Sequence, residues 1–352
     1  MSRSVSAGQA ILLQTFEMET PGYDDVENHT LCDGDDQNSL GAHLSTLYYF
    51  MFLFSLCGTA LVLVIIYRFE KLTTVTNILL LNLVLSSLIF MSSLPFIGVY
   101  MQLSHWIFGE AMCKIVCSVY YLGFSSSVLF LTLLTFDRHL AVVYSLEAQR
   151  VRNQGYAVIS CAVVWLISSL ACIKPMMFQN LLQNNMNNQT YCEEWEHDLS
   201  DATVNHLKKA EFYIQLILFL IFPLVVIIYC YLRIAITVLS SRIIGKFKTV
   251  RLIFIIVLLF FLCWTPFNIV SLMSADTCEQ ENRKAYALHI TRNIAYIYFC
   301  FSPILYTFVG KKFQNYFRQI VVKRFPGLKR HISGHQNSSR NTMSTKTTPN
   351  YL

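Results

Sequence analysis

Two adjacent opposite charges, Asp137 and Arg138, close the third of seven long apolar runs in this chain of 352 residues. Charged side chains at membrane depth are costly, and they usually serve a function. The two can form a local ion pair. Ordinary anchoring of the arginine at a membrane interface is the alternative, and we favour the functional interpretation.

Catalytic and metal-binding groups do not cluster along the sequence. Five histidines are spread over the loops and the outer ends of the apolar runs, namely His43, His105, His197, His206 and His289. A zinc site needs several such ligands together, so we expect no metal and no cofactor. No internal repeat typical of transporters is present. The chain is therefore predicted to be no enzyme and no nucleic-acid-binding protein.

The composition indicates an integral membrane protein. Hydrophobic residues make up 54% of the chain and charged residues only 14%, whereas soluble domains carry about 25% charged residues. A spanning helix needs about 20 mostly apolar residues. Runs of that length cover 44–68, 77–100, 111–143, 155–178, 209–240, 249–274 and 285–309. The predicted fold class is an all-α membrane protein with a seven-transmembrane helix bundle.

The distribution of Lys and Arg predicts the orientation in the membrane. The loops after the first, third and fifth runs are basic, as is the chain after the seventh, which places them in the cytoplasm. The acidic N-terminus then lies outside the cell, with the glycosylation sequons at Asn28 and Asn188. We expect a plasma-membrane protein with an extracellular tail (1–43), a bundle (44–310), an amphipathic helix on membrane lipid (311–323) and a disordered cytoplasmic Ser/Thr-rich tail (324–352).

Four of the eleven cysteines lie outside or at outer helix ends: Cys32, Cys113, Cys192 and Cys278. Extracellular cysteines can oxidise, and four allow three pairings. Cys113 begins the third run and Cys192 lies in the long loop above it. Cys32 precedes the first run and Cys278 the seventh, which are neighbours in a closed bundle. We predict the pairs Cys113–Cys192 and Cys32–Cys278.

The motifs within the runs resemble those of rhodopsin-like G-protein-coupled receptors. They are Asp137-Arg138-His139, Trp165, Pro223 with Tyr231, Cys263-Trp264-Thr265-Pro266 and Ser302-Pro303-Ile304-Leu305-Tyr306. Each motif alone is weak, but they occur in order and each in its own run. The likeness covers about residues 44 to 322.

Other segments resemble chemokine receptors. These are Ser93-Leu94-Pro95, His105-Trp106-Ile107-Phe108-Gly109 and the Cys32/Cys278 pair. The likeness is greatest to the XC (lymphotactin) type, in Tyr286-Ala287-Leu288, Arg292-Asn293-Ile294-Ala295, Phe301-Ser302-Pro303, Lys248 to Phe254 and Leu72 to Asn77. Most chemokine receptors have Glu where Arg292 stands, and the XC type is similar to this chain in having Arg.

The resemblance implies a ligand pocket in the outer half of the bundle. Arg292 would attract carboxylates or carbonyls of an inserted peptide, although it could also extend to the outer surface. The same cavity would be lined by Tyr120, Tyr121, Phe267 and Tyr296, an aromatic set that is more often plain core. Acidic residues including Glu193 and Glu194, and a sulfated or unmodified Tyr23, would steer a small basic chemokine to the outer opening of this cavity, here called the mouth.

The resemblance also implies a cytoplasmic surface for a heterotrimeric G protein, of the inhibitory class. Arg138 would leave Asp137 on activation and meet the G protein, followed by signalling in chemotaxis and calcium release. The residues implied in this change are Asp137, Arg138, Trp264, Pro266, Tyr231, Pro303 and Tyr306. Plain kinks at the prolines, core packing of the tryptophan and ordinary buried tyrosines are the alternatives. Phosphorylated by receptor kinases, the Ser/Thr tail would bind arrestin.

Three positions depart from the family pattern. Thr59, Ser87 and Ser302 stand where relatives usually have Asn, Asp and Asn, which together hold a water and sodium network. Ser87 has no charge, so sodium has lost its main ligand. Basal signalling could rise or G-protein coupling could weaken. The alternative function is therefore a scavenging chemokine receptor with weak or no G-protein signalling.

Overall fold

The computed structural model describes residues 35–69, 74–184, 189–194, 210, 212–241, 247–273 and 277–309. Several predicted features lie outside the described residues: Tyr23, Asn28, Cys32, Asn188, the amphipathic helix 311–323 and the tail 324–352. For Glu194, Cys278, Ser302, Pro303 and Tyr306 only the backbone is described.

The described chain is almost entirely helical, with one β-hairpin. The elements are α1 (Asp35–Phe69), α2 (Val75–Ser92), α3 (Leu94–Leu103), α4 (Gly109–Val143), α5 (Ala148–Val151), α6 (Gln154–Leu170), α7 (Ile173–Phe178), β1 (Gln179–Asn184), β2 (Gln189–Glu194), a π-helical turn (Ile217–Ile221), α8 (Phe222–Ser241), α9 (Phe247–Leu272) and α10 (Cys278–Val309).

Each predicted run corresponds to one long helix or to consecutive helical pieces. Six are long and apolar enough to cross a membrane: Ser45–Arg68, Val75–Leu103, Gly109–Val143, Gln154–Phe178, Phe212–Thr237 and Phe254–Leu272. The seventh, α10, is 32 residues long but less apolar. Its first turns carry the exposed charges of Glu279 and Arg283. Further along the helix, His289, Arg292 and Asn293 are buried and face protein rather than lipid.

Local sequence signals set the helix ends. Thr74 and Asn153 cap α2 and α6 through side-chain oxygens that accept from the backbone N–H groups of Asn77 and Tyr156. Proline lacks an N–H, and Pro95 stands in the first turn of α3. The second run is accordingly broken between α2 and α3, where the Ser93 hydroxyl donates to the carbonyl of Phe90 at 2.7 Å.

The helices pack side by side, with α4 at the centre of the bundle. Helix α4 contacts α2, α6, α8 and α9, and α1 contacts α10, so the first and seventh runs are neighbours as predicted. Aromatic side chains fill the centre: Phe90 lies 4.3 Å from Phe299 and 4.9 Å from Tyr120, between ring centroids. Side chains of α1, α4 and α10 meet at Tyr296 of α10, close to the buried polar residues of that helix.

Gly123 lets α4 approach α2 closely. A Cβ atom on Gly123 would lie 2.3 Å from the backbone nitrogen of Phe90 and 2.5 Å from its Cα. Backbone atoms cannot move aside as a flexible side chain can. The Gly123→Ala variant should therefore lose about 3 kcal/mol of stability by overpacking. Thermal denaturation of the purified protein in detergent should show a melting temperature lower by at least about 5 °C.

The matched control for this prediction is Gly155→Ala in the first turn of α6. Its Cβ would meet only the Asn153 side-chain oxygen at 3.3 Å. Alanine is the better helix former, so this variant should be neutral or slightly stabilised. Equal melting temperatures for Gly123→Ala and the wild type would contradict the close approach of α2 and α4.

Candidate functional site

The end of the bundle that the sequence predicts to lie outside the cell carries a β-hairpin held by a disulfide. Strands β1 and β2 pair antiparallel, with Leu181 opposite Cys192. Cys192 forms a disulfide with Cys113 at the start of α4, with a Cα–Cα distance of 5.7 Å. This pair was predicted from the sequence and is confirmed. The Trp106 backbone N–H donates to the carbonyl of Thr190 at 2.7 Å, which ties the first outer loop to the same hairpin.

The predicted acidic residues of the mouth fall on β2. Glu193 is half-buried and interacts electrostatically with Tyr100 of α3, and Glu194 pairs by its backbone with Gln179 of β1. The disulfide, the outer loop and the hairpin thus fix Glu193 relative to α3 and α4.

Arg292 is a buried cation inside the bundle. Its side chain is only 2% exposed, and its Nε and Nη2 atoms have no hydrogen-bond partner among the described residues. Its electrostatic neighbours are the hydroxyls of Tyr48, Tyr120 and Tyr296 and the imidazole of His289. Among the residues that the structure describes, Arg292 forms no ion pair. A buried charge is costly without a counter-charge, so this position favours an anionic group.

Tyrosines from three helices surround this cation. The rings of Tyr48 in α1 and Tyr120 in α4 lie 5.8 Å and 6.2 Å from that of Tyr296, one turn beyond Arg292 in α10. Tyr120 and Tyr296 were predicted pocket residues. Tyr48 was missed, although the expected contact of the first and seventh helices could have indicated it.

The predicted pocket residues Tyr120 and Tyr121 line a neighbouring cavity of about 60 Å³ between α4, the helical segment 212–221 that precedes α8, and α9, whereas Phe267 does not line it. Tyr120, Tyr121 and Trp264 contribute to its wall, together with the polar side chains of Gln215 and Asn268. Phe267 packs against Trp264, with ring centroids 5.9 Å apart. The predicted ligand residues therefore form two adjoining regions, and Tyr120 belongs to both.

Trp264 lines this cavity and packs within a set of aromatic rings. It is buried and contacts Phe124 at 4.5 Å and Phe299 at 5.8 Å, measured between ring centroids. Pro266 lies two residues further within α9 and removes one helical hydrogen bond. A shift of the Trp264 ring would therefore disturb α4, α9 and α10 together at a weakened part of α9.

A network of polar side chains surrounds Asp137 near the end of α4 that lies opposite Cys113. Asp137 is fully buried, and its two carboxylate oxygens accept from Arg152 Nε at 2.7 Å and Arg152 Nη2 at 2.9 Å. Thr76 Oγ1 donates to Asp137 Oδ2 at 3.2 Å. The Arg138 guanidinium donates to Thr76 Oγ1 and reaches Asp137 only as an ion pair at 3.8 Å.

The predicted pair of Asp137 and Arg138 is thus present, but its closest hydrogen bonds involve Arg152 and Thr76, which sequence reasoning did not place there. Arg152 entered only as a basic loop residue. Its position 15 residues beyond Asp137 gives no periodic signal, because a turn and the short helix α5 lie between them. Tyr231 of α8, a predicted activation residue, lies beside Thr135 and Arg138.

Comparison with known proteins agrees with this architecture. The profile of the 7 transmembrane receptor (rhodopsin family) matches residues 58–306. This chain belongs to that family. The seven-helix prediction and the prediction of a membrane receptor rather than an enzyme are thereby confirmed.

The curated relatives of this receptor include chemokine receptors. C-C chemokine receptor type 3 of Cavia porcellus is 36% identical over 318 residues, covering 87% of each chain. C-C chemokine receptor type 1 of Homo sapiens is 35% identical over 327 residues, covering 87% of this chain and 90% of that receptor. G-protein coupled receptor E1 of Equine herpesvirus 2 (strain 86/87) is 35% identical over 301 residues, covering 83% and 77%.

Proposed function

We propose that this receptor binds a small basic chemokine at its outer face and activates a heterotrimeric G protein of the inhibitory class at its inner face. The N-terminus would lie outside the cell. The observation that carries the proposal is the buried Arg292, which has no ion-pair partner among the residues that the structure describes, in a chain whose relatives bear the name of chemokine receptors.

The outer face supports a two-part mode of ligand binding. A basic protein would first meet acidic residues of the mouth, such as Glu193, and this attraction would raise its association rate. An extended segment of the ligand would then enter the bundle, where a carboxylate or carbonyl would meet Arg292. The tyrosine hydroxyls around Arg292 would supply further hydrogen-bond donors to that group.

The inner face supports exchange of nucleotide on a G protein. Arg138 is mostly buried and is held by Thr76 rather than by a direct hydrogen bond to Asp137. A cation held this way can be released to a partner when the helices separate. Tyr231 lies within electrostatic range of Arg138, and its hydroxyl would contact the arginine after its release. Arrestin and receptor kinases would act on the Ser/Thr tail.

The ligand class within the chemokines is proposed from the sequence. Arg292 and the neighbouring residues of α10 resemble the XC (lymphotactin) type, so an XC-like chemokine is the proposed ligand. Calcium release and chemotaxis are the proposed responses.

A scavenging receptor with weak G-protein signalling is the second candidate. The uncharged Ser87 and Thr59 favour it, because they replace groups that in relatives usually hold a water and sodium network. The network around Asp137 and Arg138 favours the signalling receptor instead.

A panel of chemokines tests the proposal and separates the two candidates. Cells expressing the receptor would be assayed for chemokine binding, calcium release and inhibition of cAMP formation. We expect an XC-like chemokine to bind and to give both responses. Chemokine uptake without either response would support the scavenging function, and no binding by any chemokine would overturn both.

A further inference from the structure

Arg152 holds the buried carboxylate that Arg138 must leave. It is the last residue before the N-cap of α6, directly after the short helix α5. Its backbone N–H donates to the carbonyl of Ala148 at 2.8 Å, which fixes the residue under the end of α4. From there its guanidinium binds both oxygens of Asp137.

This two-point contact is the strongest form of arginine–carboxylate pairing. The Arg152 guanidinium occupies a hydrogen-bonding position on each oxygen of Asp137 that Arg138 would otherwise take. Arg138 lies 3.8 Å from the same carboxylate. Thr76 completes the arrangement, because its hydroxyl accepts from Arg138 and donates to Asp137. Arg138 is therefore linked to Asp137 mainly through a neutral hydroxyl group.

We infer that Arg152 is a positioning residue for G-protein activation: it neutralises Asp137 so that Arg138 can be released without leaving a buried, unpaired carboxylate. This inference rests on the proposed function and concerns the control of its inner face. Releasing an arginine from its only acidic partner is strongly opposed, because the remaining charge stays buried without a counter-charge. With Arg152 in place, Asp137 keeps a cation in both states.

Removal of Arg152 should let Asp137 capture Arg138. A movement of about 1 Å would bring the two groups into direct hydrogen-bonding distance. Arg138 would then be held more tightly, and the active form would be less populated. The Arg152→Ala receptor should show about fivefold lower agonist-independent nucleotide exchange on purified G protein, at equal surface expression.

Two single variants give the matched controls. Arg150→Ala removes an exposed arginine from the same short helix and should leave the exchange unchanged. Arg152→Lys keeps the positive charge but not the two-point geometry, so it should restore part of the lost exchange.

The decisive comparison repeats Arg152→Ala in an Asp137→Asn receptor. Without the carboxylate there is nothing to capture Arg138, so the second substitution should then change the exchange by less than about twofold. An equal loss in both backgrounds would overturn the inference, because Arg152 would then act on the G protein or on the loop fold directly. Increased exchange in Arg152→Ala would also overturn it.

A second readout keeps this inference separate from the proposed function. Spin labels at the cytoplasmic ends of α6 and α9 would report the fraction of receptors with the two ends apart. Arg152→Ala should lower that fraction in the Asp137 receptor and not in the Asp137→Asn receptor. Exchange activity absent from every receptor would overturn the proposed function alone, whereas a fraction insensitive to Arg152 would overturn the positioning role.

Discussion

Reversal of one buried charge, in the Arg292→Glu receptor, should reduce the potency of the activating chemokine by about 100-fold. Arg292 is almost completely buried and has no acidic partner among the residues the structure describes. In the wild type this cation would attract a carboxylate or carbonyl oxygen of the ligand. The carboxylate introduced by Arg292→Glu would repel the same group. Ligand binding and calcium response, measured at equal surface expression, would give the loss.

The fold should tolerate this substitution because the site supplies hydrogen-bond donors of its own. The hydroxyls of Tyr48, Tyr120 and Tyr296 lie around Arg292 and can donate to a carboxylate. The imidazole of His289 lies within electrostatic range. Loss of potency with normal surface expression and a normal melting temperature is therefore the expected combination.

Controls on the same helix separate the role of the site from the role of total charge. Arg283→Glu reverses an exposed charge in the outer part of α10, which pairs with Glu279 at 2.5 Å. It should change potency by less than about threefold, since exposed ion pairs contribute little. Arg292→Lys should remain within about tenfold of the wild type. If Arg292→Glu left every chemokine response unchanged, the ligand-binding role of Arg292 would be wrong.

The bundle itself could be predicted closely from the sequence, because its signals are local and repeated. Each run of about 20 apolar residues has to form a helix in lipid. Pro95 and Asn153 mark helix ends by their own chemistry. The Cys113–Cys192 pair was found because the loop order places Cys192 above the start of α4.

The polar contacts of the candidate site were less accessible, because they join residues that are distant along the chain. Arg152 and Thr76 both reach Asp137, yet they come from different loops and helices. Tyr48 lies near Arg292 only because α1 packs against α10. Nothing in helical periodicity distinguishes such residues from ordinary core or loop residues. Their roles follow from side-chain direction, which sequence spacing alone does not give.

Sodium should not affect agonist affinity in this receptor, because Ser87 and Thr59 in the middle of the bundle are neutral. Ser87 is completely buried, and its hydroxyl donates to the carbonyl of Leu83 at 3.0 Å within its own helix. Thr59 is also buried, and its hydroxyl has no hydrogen-bond partner among the described residues. These groups are neutral, and a hard cation such as sodium needs charged or several oxygen ligands. Agonist affinity of the wild type should therefore be equal, within about twofold, in sodium chloride and in N-methyl-D-glucamine chloride of the same ionic strength.

The Ser87→Asp receptor should acquire the dependence that the wild type lacks. A buried carboxylate without a cation is costly, so the melting temperature in N-methyl-D-glucamine chloride should fall by at least about 5 °C. Sodium at about ten times its dissociation constant would return about 1.4 kcal/mol by binding only the folded receptor. The melting temperature should therefore rise with sodium concentration in this variant alone.

The neighbouring Ser86 supplies the control for this experiment. Ser86 is equally buried, and its hydroxyl also donates to a backbone carbonyl one turn earlier, that of Asn82 at 2.9 Å. Successive residues of a helix point in directions about 100° apart, so Ser86→Asp places its carboxylate away from the position of Ser87. It should lose stability without recovery in sodium. Strong sodium dependence of agonist affinity in the wild type would show that other groups hold the ion, and the assignment of Ser87 as the lost ligand would then be wrong.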